Sequence, residues 1–453
     1  MYTKFPKETV FQERNSDRRI SYYSDTDGGI CSEEYRTSIL SRFSFVFNIK
    51  RILLEIFLPQ GYPTSVSPDY LTYQIWDTVQ AFCSTISGTL TTHAIFKGVG
   101  VGDQTANALS AAVTWILKDG TGMIGRILFA WWKGTNLDTD CKKWRLTADV
   151  INDLALGFEL LLGIAAFKSY GSTVLCASAV MKSIVGVAGG ATRAAITQHQ
   201  AIRGNMADVS AKDGSQETCV NLLASFFGLY ILTMIENNTR CIWLVFFSVT
   251  VMHIYANFKA VKCLKMKTMN TSRFLLLLRH FLRTNTVNAV RTINDQESVI
   301  LGCGITDYKL CGKKIYLGGS LQPIIRRKNI TSEQLKKIKN CYRSFQYIVV
   351  DVDTSIHVVL KDNIKDEYIL MAYFHAVIYG LVLSCLEGRI KNYAYEEEFE
   401  ALVRACRETK IIEIYVNDYV SRKWTKYATD AILNGWITDR HQLFVDEWRT
   451  KWN

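Results

Sequence analysis

The sequence predicts a mainly α protein: a Gly/Ala-rich, membrane-associated helical bundle followed by a smaller α+β C-terminal domain. Three observations carry this. Residues 218–235 and 241–258 are each free of formal charge and rich in Leu, Phe, Ile, Val and Trp; at 1.5 Å per residue such a run crosses about 27 Å of hydrocarbon. Three of the five prolines lie within residues 59–68, which leaves the remainder free to form long helices. After Asn294 the pattern changes to short alternating runs of β-branched and polar residues.

A chain of 453 residues exceeds what one core usually serves. With 48% apolar and 21% charged residues it is too polar for a chain made only of spans and suits a part-embedded, part-aqueous protein. Residues 1–44 are polar and mixed in charge, without the apolar region of a signal peptide and with acidic residues that a transit peptide avoids. They read as a disordered tail, so insertion uses an internal segment and the expected location is an intracellular membrane, crossed several times. Residues 44–58 form an amphipathic helix stopped by Pro59, and a turn-rich connector with Pro63 and Pro68 follows.

The helical domain, residues 45–294, then runs through Thr78–Phe96, Gln104–Leu117, Met123–Trp132, Ile151–Phe167 and Ser172–Ala195. Small residues four apart, Gly186 with Gly190 and Gly98 with Gly102, suit close backbone approach between membrane helices; a soluble bundle with Ala-rich interfaces is the alternative. The two oily runs, joined by Glu236–Arg240, must fold back as an antiparallel hairpin near 218–258.

The net charge of +11 is uneven. No Asp or Glu occurs between Asn237 and Asn294, where Lys259, Lys262, Lys265, Lys267, Arg273, Arg279 and Arg283 accumulate. A basic block against a span attracts anionic lipid at about 1 kcal/mol per charge. It places the outer ends of the hairpin in the cytoplasm and makes Lys259, Lys262, Lys265 and Lys267 candidate headgroup contacts. No nucleic-acid motif accompanies the charge, so membrane lipid, not nucleic acid, is the expected partner. Twelve scattered cysteines, none in a two-residue spacing, suit a reducing compartment without a disulfide framework.

In the C-terminal domain, residues 295–453, Tyr347–Val352 and Ser355–Leu360 around Asp353-Thr354 predict a β-hairpin, with Lys313–Leu317 a further strand. Tyr368–Leu386 is charge-free, but Tyr373, His375, Tyr379 and Ser384 favour a core helix over a further span. Glu396–Lys410 and Tyr419–Leu433 are amphipathic helices.

No catalytic constellation or metal-ligand spacing is visible, and no cofactor can be named. Gly120-Thr121-Gly122-Met123-Ile124-Gly125 fits a dinucleotide fingerprint in letters only; its surroundings are helical, which favours a helix–turn–helix corner. Polar groups within apolar helices are more informative: Asp77, Asp119, Asp149, Asn152, Asp153 and Glu159, with Arg126, Lys142, Lys143, Arg145, Lys182 and Arg193 as partners. Asp149, Asn152 and Asp153 share a face, and Asn152 and Glu159 a stripe. Buried carboxylates need a partner, a proton or a ligand, so these form either an internal ligand site or register-fixing salt bridges. The stretch HQAIRGNMADVSAKDGSQETCVN brings His199, Asp208, Lys212, Asp213, Gln216 and Glu217 within a few turns. It reads as a headgroup or acid/base site, or as a solvated helix start capped by Asp213 or Ser215.

The strings PTSVSPDYLTYQIWDTVQAF, GVGVGDQTANALSAAVTWILKDGTGMIGRILFAW, CKKWRLTADVINDLALGFEL and HQAIRGNMADVSAKDGSQETCVNLL, with the terminal GW…EWR, resemble the root UVB sensitive (RUS) family over about residues 45–453. The resemblance implies a link to UV-B responses and vitamin B6 homeostasis, and pairing with a paralogue or self-association; it transfers no catalytic residue. The expected function is a non-enzymatic membrane scaffold or adaptor, the alternative a transporter or binder of a small polar or phosphorylated metabolite.

Overall fold

The computed structural model describes residues 9–14, 18–24, 30–36, 52–99, 108–389 and 395–452. Residues 1–60 and 61–453 form two units. In the first, β1 (Thr9–Arg14), β2 (Arg18–Ser24) and β3 (Ile30–Arg36) make an antiparallel meander. This departs from the expected disordered tail. Cross-strand pairs supply the reason: Gln12 donates to Ser21 at 3.1 Å, Arg19 to Gln12 at 2.5 Å and Tyr22 to Glu13 at 3.1 Å, the interactions that stabilise a sheet without a thick core. Of the helix expected over 44–58, residues 52–57 are helical and Leu58 is a bend; residues 44–51 lie outside the described residues.

The second unit opens with α1 (Tyr70–Val99), α2 (Ala108–Lys133), α3 (Cys141–Leu160), α4 (Gly171–Gln200), α5 (Met206–Ile235) and α6 (Thr239–Cys263). Side-chain pairings give their directions. Gln74 meets Asp213 and Thr85 meets Asn221, so α1 and α5 are parallel. Trp76 meets Tyr255 and Gln80 meets His253, so α6 runs antiparallel to α1. Glu159 with Ser178, and Trp144 and Ala148 with Ala188, set α4 antiparallel to α3. Thr114 with Ser172 and Gly125 beside Ser183 set α2 parallel to α4. The six helices therefore alternate in direction, and the ends near Tyr70, Lys133, Cys141, Gln200, Met206 and Cys263 gather at one end.

Three expectations change at this level. Ala108–Leu117 and Met123–Trp132 are parts of one continuous helix, α2, so Gly120–Gly125 forms no corner; residues 104–107 lie outside the described residues. A methyl at Gly125 would lie 2.7 Å from Ser183 Oγ and one at Gly122 3.5 Å from Ala179 O: these glycines let α2 lie against α4. Gly186 and Gly190 meet nothing within 4 Å, whereas Gly98 lies against Leu162, where a methyl would come within 2.8 Å; Gly102 lies outside the described residues. The polar stretch before the first oily run is itself helical from Met206, which rules out Asp213 or Ser215 as its cap. Between the oily runs Asn238 caps α6, accepting from the Arg240 and Cys241 amides at 3.1 and 3.2 Å.

The remainder comprises β4 (Met269–Asn270), α7 (Thr271–Thr284), α8 (Val290–Gln296), α9 (Asp307–Cys311), β5 (Lys314–Leu317), α10 (Leu321–Lys328), α11 (Ser332–Cys341), β6 (Tyr347–Val352), β7 (Ser355–Leu360), α12 (Asp366–Leu386), α13 (Glu397–Thr409), α14 (Ile412–Leu433) and β8 (His441–Gln442). The hairpin β6–β7 turns at Asp353-Thr354 as expected, with Val352 opposite Ser355, and β5 adds in parallel to β7. Inward-facing Ile356 and Val358 join Phe274, Phe281, Phe374 and Tyr427 in one core. Most of α12 is enclosed in that core, which accounts for a charge-free helix outside the apolar bundle. Helix α14 begins seven residues earlier than its amphipathic pattern suggests, at Ile412.

Candidate functional site

The bundle combines a largely apolar exterior with polar groups set between its helices. Leu222, Phe226, Leu229 and Tyr230 on α5, Leu244, Phe247, Val251, Met252 and Tyr255 on α6, and Ile124, Ile127 and Trp131 on α2 are exposed, while charged and amide groups lie between the helices. Such a face is uncommon on a protein bathed in water.

The centre of the polar interior is His253 of α6, fully buried. Its Nδ1 lies 2.7 Å from Asp153 Oδ2 and its Nε2 3.0 Å from Gln80 Nε2. With an amide donor at Nε2, the ring proton sits on Nδ1 and is donated to Asp153. One turn further along α6 is Asn257, 2% exposed; one turn earlier on α3 is Asp149. Arg145 reaches Asp77 at 3.2 Å and stands 3.8 Å from Asp149. Nearer the end of the bundle, Asp213 accepts from Gln74 at 3.2 Å and from Arg193 Nε at 2.8 Å, and Arg193 also pairs with Glu217 at 2.8 Å.

Among the described residues, Asp153 Oδ1, Asp149 Oδ2 and both polar atoms of Asn257 have no hydrogen-bond partner. Each such buried group costs about 1–3 kcal/mol, so the cluster stores unfavourable energy that a hydrogen-bonding solute would release. Asp77, Asp149, Asp153 and Asp213 also outnumber Arg145 and Arg193, so the interior favours a neutral or cationic guest.

Other sequence candidates fall elsewhere. Glu159 is buried in a separate group near the far end of α3, held by Lys182 at 2.7 Å and Ser178 at 2.5 Å. Asn152 is only half-buried and Asp119 is exposed on α2; neither enters the cluster. His199 pairs with Asp69 at 2.9 Å, and Asp69 also accepts from Ser67 and, at 2.6 Å, from the Lys265 amide. Burial alone would raise the Asp69 carboxyl, but His199 and these donors bring it down to about 2. Gln216 donates to Tyr70 at 3.3 Å, and Asp208 and Lys212 lie half-buried on α5. His253, Asn257 and Gln80 were not singled out. A histidine and an asparagine one turn apart inside a charge-free run were the available signal.

The basic block also divides. Lys262 donates to the carbonyls of Asp295 and Glu297 at 2.8 Å and Lys265 pairs with Asp295, so both are also tied within the protein. Lys259 lies over the Tyr255 ring and Lys267 is exposed. Beneath them the bundle joins the C-terminal domain through Glu297, which is 2% exposed. It meets Lys142 at 2.8 Å, Arg273 at 3.0 Å and Asn270 at 3.0 Å. Burial would raise this carboxyl, but Arg273 and Lys142 hold it at about 2.

Comparison with known proteins gives this architecture a context. A family profile described as "Vitamin B6 photo-protection and homoeostasis domain" matches residues 46–285, and one described as "Root UVB sensitive protein, C-terminal" matches residues 286–452. The chain belongs to the root UVB sensitive family. Within that family it is similar to Protein root UVB sensitive 3 of Arabidopsis thaliana, 32% identical over 91% of this chain and 88% of the relative. It is also similar to RUS family member 1 of Dictyostelium discoideum, 49% identical over 51% of this chain and 44% of that protein, and to Protein root UVB sensitive 6 of Arabidopsis thaliana, 26% identical over 94% and 83%. No solved structure matches the chain.

Proposed function

We propose that this root UVB sensitive protein is an integral membrane protein whose six-helix bundle binds and carries a small polar solute. The observation that carries the reading is the buried cluster of polar atoms without a hydrogen bond on Asp149, Asp153 and Asn257, beneath an apolar exterior. Three bundle helices, Gly171–Gln200, Met206–Ile235 and Thr239–Cys263, are long and apolar enough to cross a membrane; Asp366–Leu386 is too, but 78% of its apolar window is buried. Lys133, Arg203, Lys259 and Lys267 lie at the end of the bundle that bears the C-terminal domain, which on the positive-inside rule faces the cytoplasm.

The carboxylate excess narrows the solute. A phosphorylated metabolite would bring two further negative charges into an interior already acidic, so the interior suits an uncharged or cationic hydrogen-bonding molecule. The family description makes an unphosphorylated B6 vitamer the first probe. Purified full-length protein in detergent is titrated with a panel of such solutes, as wild type, Asp153→Asn and Asn257→Leu, and membranes are extracted with alkaline carbonate. The reading expects retention in the pellet and binding at least tenfold weaker in both variants. Release by carbonate, or binding indifferent to both changes, overturns it; capture of a second copy with no solute bound returns the scaffold reading.

A further inference from the structure

The C-terminal sheet has a second face, opposite its core. Parallel pairing sets Lys314 beside Ser355 and Tyr316 beside His357. Strand alternation turns these four side chains outward while Ile356, Val358 and Leu317 turn inward. Arg327 of α10, Thr354 of the hairpin turn and Tyr308 complete the lining of a cleft of about 330 Å³. That is on the order of ten water volumes, room for a phosphate with a small organic group attached.

The charge in this cleft is one-sided. It is lined by one ammonium, one guanidinium, two aliphatic hydroxyls, two phenols and an imidazole, and by no carboxylate among the described residues. Two nearby acids are engaged elsewhere: buried Lys313 holds the Asp351 carboxylate at 2.5 Å, with the backbone carbonyl of Asp353 at 3.0 Å, and Asp307 accepts from Tyr373. Lys314 and Arg327 are left without an ion pair among the described residues. The His357 ring stacks on Tyr316 with centroids 5.1 Å apart, and its Nε2 lies 3.1 Å from Ser355 Oγ, which fixes its orientation. Half-burial and the nearby Arg327 hold His357 below its ordinary pKa, so at neutral pH it is a hydrogen-bonding group in a cleft whose charge comes from Lys314 and Arg327.

We propose that this cleft binds a phosphate monoester, with Lys314 and Arg327 meeting the dianion from two sides and the Thr354 hydroxyl and the Tyr308 and Tyr316 phenols available as donors, while Ser355, which donates to the Val352 carbonyl at 3.0 Å, and His357 shape the floor. Arg and Lys converging with hydroxyl donors is a recurrent way of holding phosphate. The site is separate from the acidic bundle interior, and neither assignment depends on the other. The phosphate can belong to a free metabolite or to a lipid headgroup.

The full-length protein in detergent is titrated by calorimetry with phenyl phosphate and with inorganic phosphate at fixed ionic strength. In parallel, detergent-free proteoliposomes are tested for capture of vesicles containing phosphatidic acid against vesicles of phosphatidylcholine alone. The wild type is compared with Lys314→Ala/Arg327→Ala and with Lys336→Ala/Lys337→Ala, which removes the same charge from exposed α11 positions outside the cleft. All replaced side chains are exposed, so folding survives, and a melting curve confirms it. The expected result is binding weakened at least tenfold by the first double variant and unchanged by the second. Soluble phosphate as ligand identifies a metabolite; selective capture of phosphatidic acid identifies a headgroup. Absence of binding by the wild type in both arms, retention by the first double variant, or equal loss in both overturns the proposal.

Discussion

Replacing Glu297 with Gln tests how the bundle is fastened to the C-terminal domain. The side chain keeps its size and can still accept one hydrogen bond, but Lys142 and Arg273, 2% and 1% exposed, lose their shared counter-charge. Removing one partner of a buried ion pair costs about 3–5 kcal/mol. A second route gives a similar figure: the carboxyl is held at about 2 against an ordinary 4.5, and at 1.36 kcal/mol per unit this corresponds to about 3 kcal/mol. For a unit of this size, roughly 1.2 °C is lost per kcal/mol, so the melting temperature should fall by about 4–6 °C. The pH dependence has a definite sign. A depressed carboxyl contributes stability above its unfolded value near 4.5, and that contribution is lost as pH falls toward 2. Wild type should therefore lose stability across that window while Glu297→Gln changes less. Thermal melts in detergent from pH 2 to 7 measure both effects, and Glu297→Gln combined with Lys142→Met should recover part of the loss. A variant melting within about 1 °C of wild type at pH 7, with an unchanged acid limb, would refute the reasoning.

Asn257→Leu should raise the melting temperature by about 1–3 °C, since it removes two unpaired buried polar atoms, while abolishing solute binding; parallel melts and titrations show whether the two part company. Phe226→Arg places a cation on an exposed apolar position of α5 and should impair insertion by about 2.5–3.5 kcal/mol, read as the inserted fraction in a translocation assay; unchanged insertion contradicts a lipid-facing α5. Gly318→Ala should destabilise the C-terminal domain by about 2 kcal/mol or more, because φ is +70° and a methyl would lie 2.5 Å from the Asp446 carbonyl; an unaffected urea midpoint counts against that packing.

Much of the fold was legible because its determinants are local. The two oily runs, the hairpin turning at Asp353-Thr354 and the polar side chains marking α12 as a core helix are all written in short windows of sequence. Segments whose fate depends on a distant neighbour were not. Gly120–Gly125 looks like a break until α4 supplies the surface that those glycines admit, and β1–β3 has little hydrophobic signal because its strands are held by polar cross-strand pairs. The site was half legible for the same reason. Asp77, Asp149 and Asp153 stood out as charges in apolar helices, whereas Asp119 and Asn152 were included because spacing along one helix does not say which face a neighbour covers. Glu297 was invisible: nothing near it in sequence announces that Lys142, 155 positions earlier, is its partner.

The alternation of six helices has a practical corollary for anyone mapping this protein in cells. On the proposed membrane reading α5 and α6 cross and return, so a reporter inserted at residues 201–205 and one fused after the C-terminal domain should respond to the same impermeant reagent. A reporter placed at residues 236–238 should respond only to the reagent applied from the opposite compartment.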